Sequence, residues 1–361
     1  MSVYLGYLVL TGLQSLLFYK KDRFGERHFN SRPYVWICCI ELILLAGLRG
    51  YTVGADTATY LKALDYYNAV PILKLPITPL VYPFDFEVGY FTLTKICAFF
   101  GMSKTAFLFL IAMIIYIPVF VTIQKHSRIP YLSILSYFAF GMFTYSLGIF
   151  RQMIAISILL CGWKYVRERK LLMYLIFIGL AMLFHATAII AILLYLLYGV
   201  KWRRIIWFVF PAEILFVVFG RQMAMLAFSL LPQYSGYIGK QYDQQGGSYL
   251  MLLLLNVILI TCIILDKRGR FSDDMTICAL ILAVLIQPIG YSMAIFGRIV
   301  PYFSIYLIFA LPDAVYGMGK TLRKFAGIAA VAILFFLVYR TMNGDQYITP
   351  YYTFFENIGV K

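Results

Sequence analysis

The sequence predicts an all-α, polytopic integral membrane protein of about 12 transmembrane helices plus one half-inserted or interfacial helix. Three observations carry that prediction. Only 13% of the residues are charged and 62% are hydrophobic, whereas water-soluble chains carry roughly a quarter charged residues. Mean hydropathy is +0.83, and apolar runs of membrane-spanning length recur from end to end. The alternation of strand and turn that an outer-membrane barrel requires is absent. No stretch separates into a soluble domain, so residues 1–361 are expected to form a single transmembrane domain with extracytoplasmic loops 49–87 and 220–248.

The net charge of +15 does not imply a nucleic-acid partner. The Lys and Arg residues sit in short clusters between apolar runs, where the positive-inside rule places them. All six cysteines (Cys38, Cys39, Cys97, Cys161, Cys262 and Cys278) lie within apolar segments. They read as small buried hydrophobes, with neither a disulfide framework nor a zinc site indicated. His28, His126 and His185 are too scattered for a histidine-rich metal site.

Taken in order, the first apolar run has no basic residue ahead of it, so it is predicted to be a span with its start outside rather than a cleavable signal. The basic segment from Lys20 to Arg32 anchors the cytoplasmic side. Span two runs from Pro33 to Leu48, with Pro at its first turn, and delivers Arg49 outside. Pro71, Pro76, Pro79 and Pro83 oppose a long helix in the second half of the following loop. Val88–Phe100 is too short to cross, since about twenty residues are needed, and is expected to stay on the outer side. Thr105–Ile123 descends to Lys125 and Arg128, Tyr131–Leu147 returns outward, and Gln152–Val166 comes back to the basic Arg167–Lys170.

Leu171–Val200 fits either one long tilted helix or two short legs turning at His185. Charge decides between them. A turn at His185 places Lys201, Arg203, Arg204, Lys267, Arg268, Arg270, Lys320, Arg323 and Lys324 in the cytoplasm, and a single crossing would place them all outside. Further spans are expected at Ile205–Phe219, Leu250–Leu265, Met275–Tyr291, Val300–Tyr316 and Phe325–Tyr339, the last leading to an aromatic tail.

This topology sends Arg49, Asp56, Glu87, Arg151, His185 and Arg298 to one outer face. Ionisable residues at such depth mark function by default. Arginine gives planar, bidentate recognition of phosphate, which makes Arg49, Arg151 and Arg298 candidates for a diphosphate; the competing reading is that each snorkels to lipid headgroups. Glu87, Asp56 and His185 are candidates for the base that deprotonates an acceptor hydroxyl. Asp56 also fits a helix N-cap, and His185 also fits a sugar contact or the repair of a broken helix. No cofactor is required, although Asp85 and Glu87 together match an acidic pair able to hold a divalent metal with substrate phosphates. Tyr60, Tyr237 and Tyr242 are candidate sugar platforms; interfacial aromatic belts produce the same composition. Glu41 and Glu213 lie within spans and favour a transporter-like alternative.

With these residues placed, the chain resembles the EpsG-like family of Wzy-type bacterial polysaccharide polymerases. The matching features are Arg49-Gly50 with Val53-Gly54-x-Asp56-Thr57-x-x-Tyr60, then Phe86-Glu87-x-Gly89-Tyr90. Phe150-Arg151-Gln152-x-x-Ala155 and Phe184-His185-x-Thr187-Ala188 follow, with Gly297-Arg298 in the second half. Many members have Ser at the position of Thr187. The resemblance implies a GT-C-like arrangement and a polymerase of O-antigen, capsule or exopolysaccharide repeat units. Donor and acceptor would be undecaprenyl-diphosphate-linked oligosaccharides, joined at the outer face of the bacterial plasma (inner) membrane. The surrounding partners would be membrane lipid and a chain-length regulator. A lipid-linked saccharide flippase, a ligase and an O-acyltransferase are the alternatives.

Overall fold

The computed structural model describes residues 1–361 except 22–26, 71–83, 85, 231–245, 247–248, 272, 344, 346 and 360–361. The apolar runs are helical because hydrocarbon offers backbone N–H and C=O groups no partner, and a helix satisfies them internally. Helix α1 (Ser2–Leu17) is followed by a short antiparallel ribbon, β1 (Tyr19–Lys21) with β2 (Arg27–Phe29), in which Tyr19 faces Phe29. Next come α2 (Ser31–Gly47), α3 (Thr57–Ala69), α4 (Val88–Phe99), α5 (Lys104–His126), α6 (Pro130–Ala139), α7 (Met142–Gly148), α8 (Phe150–Cys161) and α9 (Trp163–Arg167). Helix α10 (Leu171–Met182), a 3₁₀ segment at Ala186–Ala191, α11 (Ile192–Tyr198), α12 (Trp202–Leu230), α13 (Tyr249–Lys267) and α14 (Asp274–Ser292) follow. The chain finishes with α15 (Ala294–Gly297), α16 (Pro301–Ser304), α17 (Leu307–Gly317) and α18 (Lys320–Asn343).

Among the described residues, five helices are long and apolar enough to cross a membrane: α5, α12 over Trp202–Leu226, α13, α14 and α18. A sixth arises if Ala294–Ser304 and Leu307–Gly317, bent by 51°, form one broken span. Ser2–Leu17, Val88–Phe99, Phe150–Cys161, Leu171–Met182 and Ala186–Tyr198 are shorter apolar helices. Apart from the short ribbon, the described residues thus form a helical membrane protein, and α4 has the short length expected of it.

Besides the bent Val300–Tyr316, two other expected spans are broken, and glycine marks each of these two breaks. Tyr131–Leu147 divides where Gly141 adopts φ +81°, a left-handed conformation that costs glycine little. The segment 152–166 divides at Gly162, where a Cβ would fall 2.9 Å from the Phe177 ring. A third difference concerns the loop expected from residue 220. Helix α12 continues through a kink at Phe219 and ends at Leu230, so that loop begins later.

The segment 171–200 forms two legs. Helix α10 ends at Met182, and His185 stands between it and the 3₁₀ segment. Tyr195 Oη donates to the Arg169 carbonyl at 2.8 Å, the Arg169 guanidinium donates to the Tyr195 carbonyl, and Tyr174 Oη reaches the Ala191 carbonyl at 3.2 Å. One continuous helix would hold residues 169 and 195 about 39 Å apart. The second leg therefore returns to the level at which the first began.

The chain divides into two compact units. The first comprises Met1–Gly162, Ile176–Ala188 and Ile328–Lys361, and its centre is α5, packed on α2 and α8. The second comprises Trp163–Leu175 and Ile189–Gly327, and its centre is α14, against which α11, α12, α13, α15, α16 and α17 pack. Most of α14 is buried, whereas α12 turns most of its apolar surface outward, as a lipid-facing helix does.

The two acids inside spans have amide partners within their own units. Gln14 Nε2 donates to Glu41 Oε1 between α1 and α2, and Asn256 Nδ2 donates to Glu213 Oε1 at 2.6 Å between α13 and α12. Each pairing reduces the cost of a polar group in hydrocarbon.

Candidate functional site

The site grows from the stretch Phe86–Tyr90 in the first unit. Glu87 is the extended residue before α4, at φ −63° and ψ 150°. Two residues on, the Gly89 N–H donates to the Leu183 carbonyl at 2.7 Å. A Cβ on Gly89 would lie 2.7 Å from that same carbonyl oxygen. Glycine is what lets the first turn of α4 touch the end of α10, and that contact carries Glu87 to the tip of the hairpin.

There the Glu87 carboxylate joins three segments. Oε1 accepts from His185 Nδ1 at 3.0 Å and from the Ala186 N–H at 3.3 Å. Oε2 forms an ion pair with Arg151 Nη1 at the start of α8. Burial opposes ionisation of Glu87, but the His185 hydrogen bond and the Arg151 charge outweigh it and hold the carboxyl down at about 2. A carboxylate so placed is a weak proton acceptor and a strong orienting group. With Nδ1–H directed at Glu87, the lone pair of His185 lies on Nε2, which forms no hydrogen bond among the described residues. The His185 side chain is 19% exposed, enough for contact with a reactant.

Aromatic rings form the wall behind the ion pair. The Arg151 guanidinium carbon lies 5.2 Å from the Phe86 ring centroid, within cation–π range. Tyr60 stacks on Phe150 at 4.6 Å, and the Tyr90 ring is 5.1 Å from both Tyr60 and Phe86. Arg151 Nε is buried without a hydrogen-bond partner. Tyr60 faces Arg151 and is 2% exposed. Its ring is thus part of the packed wall. Tyr237, Tyr242 and Asp85 lie outside the described residues. Among the described residues, no group of three or more His, Cys, Asp or Glu side chains is placed to hold a metal ion.

Arg49 and its neighbours form a frame beneath this wall. Arg49 is 1% exposed and gives its donors to three backbone carbonyls, those of Val53 and Leu147 at 3.2 Å each and that of Ala46. Burial pushes its guanidinium down to about 10. Thr57 Oγ1 meets the same Val53 and Leu147 carbonyls at 3.0 and 2.8 Å. The Leu147 carbonyl is available because α7 stops at Gly148, and Ile149, at φ −109° and ψ 64°, separates it from α8. The stretch Arg49–Thr57 thereby fixes the break from which Phe150 and Arg151 emerge. Asp56 occupies the N-cap position of α3 without a side-chain capping bond. Its carboxylate forms no hydrogen bond or ion pair among the described residues.

Arg298 belongs to the second unit. It follows α15, in the broken segment that ends at the 51° bend. Gly290 and Gly297 pack backbone to backbone, with a Cβ on Gly290 falling 2.7 Å from Gly297 Cα. Irregular backbone of this kind is tolerated at membrane depth where protein buries it or a cavity adjoins it.

Three residues of the expected set, Glu87, Arg151 and His185, are in direct contact. The roles of Phe86, Tyr90 and Phe150 as the wall, and of Thr57 in the frame, were not foreseen, although each stands within a motif singled out above.

The fold and this cluster define a helical membrane protein with an ionised Glu–Arg pair and a histidine on the same carboxylate, at the tip of a broken helix. Residues 34–353 match the model of the EpsG family, and the chain belongs to that family, which is polysaccharide polymerase-like. No curated protein and no solved structure matches the chain.

Proposed function

We propose that the protein is a glycosyltransferase that polymerises undecaprenyl-diphosphate-linked oligosaccharide repeat units, as a Wzy-type polymerase does. The observation that carries this reading is the single Glu87 carboxylate bound to both Arg151 and His185. Family membership supports it independently. His185 Nε2 takes the proton of an acceptor hydroxyl on one lipid-linked unit. The freed oxygen attacks the anomeric carbon of the donor glycan, and the bond from that carbon to the diphosphate oxygen breaks. The carrier diphosphate leaves with the bonding electrons, and Arg151 balances its charge. Glu87 holds the imidazole in one tautomer and aims the guanidinium. Asp56, uncommitted at the loop, is the second candidate for the base. Arg49 serves as frame in this reading, because its guanidinium is enclosed and each of its three nitrogens donates to a backbone carbonyl.

The energy comes from the sugar–diphosphate bond, so no nucleotide sugar enters. The site faces the outside of the bacterial plasma membrane, and the shorter apolar helices bring the membrane elements to about a dozen in a GT-C-like arrangement. Membrane lipid surrounds the chain, and a chain-length regulator acts beside it.

The test is to locate and size lipid-linked saccharides in cells that lack the protein. The expected result is single repeat units accumulating on the outer face. Units stranded on the cytoplasmic face would instead identify a flippase, and full-length polymer left on its carrier would identify a ligase.

A further inference from the structure

The aromatic C-terminal residues are engaged with the protein itself. The Gly50 N–H donates to the Tyr352 carbonyl at 2.8 Å and the Phe354 N–H to the Leu48 carbonyl at 3.0 Å, which pairs Arg49 with Thr353 as an antiparallel bridge. The Gly54 N–H donates to the Tyr347 carbonyl at 2.8 Å. Side chains add to the backbone pairing. Tyr351 Oη reaches the Leu45 carbonyl at 3.0 Å, and Tyr4 Oη reaches the Ile348 carbonyl at 2.9 Å. Ile348 is buried. A Cβ on Gly50 would lie 2.0 Å from the Tyr352 ring, so this glycine accommodates the tail.

These contacts fall on either side of Val53, whose carbonyl takes Arg49 and Thr57. The same two side chains hold the Leu147 carbonyl, four residues before Arg151. An unbroken run of contacts therefore leads from Tyr347–Phe354, through Gly50 and Gly54, to the break between α7 and α8.

We propose that Tyr347–Phe354 is a positioning strap that sets the Arg151 guanidinium by clamping the Arg49–Thr57 loop on the Leu147 carbonyl. This inference rests on the role given to Arg151 above. A displacement of an ångström at a reacting group lowers rate by up to about a hundredfold, so a strap need only hold the frame to that tolerance.

The experiment measures polymer per unit of membrane-inserted full-length protein in cells carrying Gly50→Ala, Gly50→Ala with Tyr352→Ala, and Phe354→Pro. Each is made alone and in an Arg151→Lys background. Gly50→Ala drives a methyl into the Tyr352 ring and is expected to lower polymer at least about tenfold. Adding Tyr352→Ala vacates that space and restores the yield to within about twofold. Phe354→Pro removes the N–H given to Leu48 without touching the loop and is expected to lower polymer in the same direction. In the Arg151→Lys background, either loss shrinks to below about twofold, because groups acting through one contact are not additive. Losses that multiply in full in that background would overturn the strap, as would normal polymer from Gly50→Ala and Phe354→Pro. Failure of both variants to accumulate in the membrane would make the segment a folding element and also overturn the proposal. If Arg151→Lys by itself leaves polymer unchanged, the role of Arg151 fails first, and the two failures are distinguishable.

Discussion

Oε1 of Glu87 lies 3.0 Å from Nδ1 of His185, across 98 residues of sequence, while the other oxygen of the same carboxylate holds Arg151. One anion thus orients an imidazole and a guanidinium. The arrangement suits transfer of a proton at one edge and stabilisation of a departing anion at the other.

The depressed titration of Glu87 gives the site a defined acid response. A carboxyl whose folded value lies below its unfolded value stabilises the protein above the unfolded value, and that contribution is lost as pH falls through the folded one. The window runs from an ordinary value of 4.5 down to about 2. In thermal unfolding of detergent-solubilised protein, the margin of wild type over Glu87→Gln is expected to be constant above about pH 5 and to shrink progressively below pH 4.5, on the linkage argument. A margin that does not change with pH would mean that the Glu87 charge adds nothing to the fold.

Gly89 makes the contact that brings Glu87 to the hairpin. Gly89→Val places a branched side chain against the Leu183 carbonyl, and the obstacle is backbone, which cannot swing aside. The expected loss is about 1–3 kcal/mol of stability, with polymer formation falling further than stability alone explains. Comparing unfolding temperature with polymer per unit of protein separates the two effects. Normal polymer from Gly89→Val would detach this contact from function.

Gly54 has φ +110°, and a Cβ there would meet the Leu147 carbonyl oxygen at 2.0 Å. Gly54→Ala therefore combines backbone strain with a clash, and a loss of more than about 1 kcal/mol is expected. Asp56→Ala, two residues on, removes a carboxylate without a capping bond and is expected to change stability by less than about 0.5 kcal/mol. Denaturation of the two variants side by side checks the contrast.

The topology read from charge returns the chain at His185 to the side of the Lys20–Arg32 segment. A reporter inserted within Lys201–Arg204 should appear on the side that carries the Lys20–Arg32 segment. A reporter signal from the opposite side would mean that the chain crosses between them an odd number of times, and His185 would then lose its place among the outer-face groups.

Much of this was legible in the sequence, and the reasons for the rest are physical. Hydropathy exposed the helices because hydrocarbon demands long apolar runs, and the charge asymmetry exposed the hairpin turn at His185. What one-dimensional pattern could not reveal was how alike residues divide their work. Arg49 and Arg151 both follow apolar stretches, yet one is enclosed by carbonyls and the other meets a carboxylate. Tyr60 looked like a platform for sugar, whereas Phe150, ninety residues later, covers its ring. The role of the aromatic tail is not legible in the sequence because its partners, Leu48, Gly50 and Gly54, lie some 300 residues away and are reached through backbone groups. Breaks at Gly141 and Gly162 were hidden by apolar neighbours that continue the hydropathy signal across them.

In the proposed reaction Arg151, aimed by Glu87, acts on the lipid-linked diphosphate. The most direct measurement is the length distribution of glycan made by cells carrying Arg151→Ala, at membrane protein levels matched to wild type. The expected result is single lipid-linked repeat units and no polymer. A normal length distribution from Arg151→Ala would contradict it.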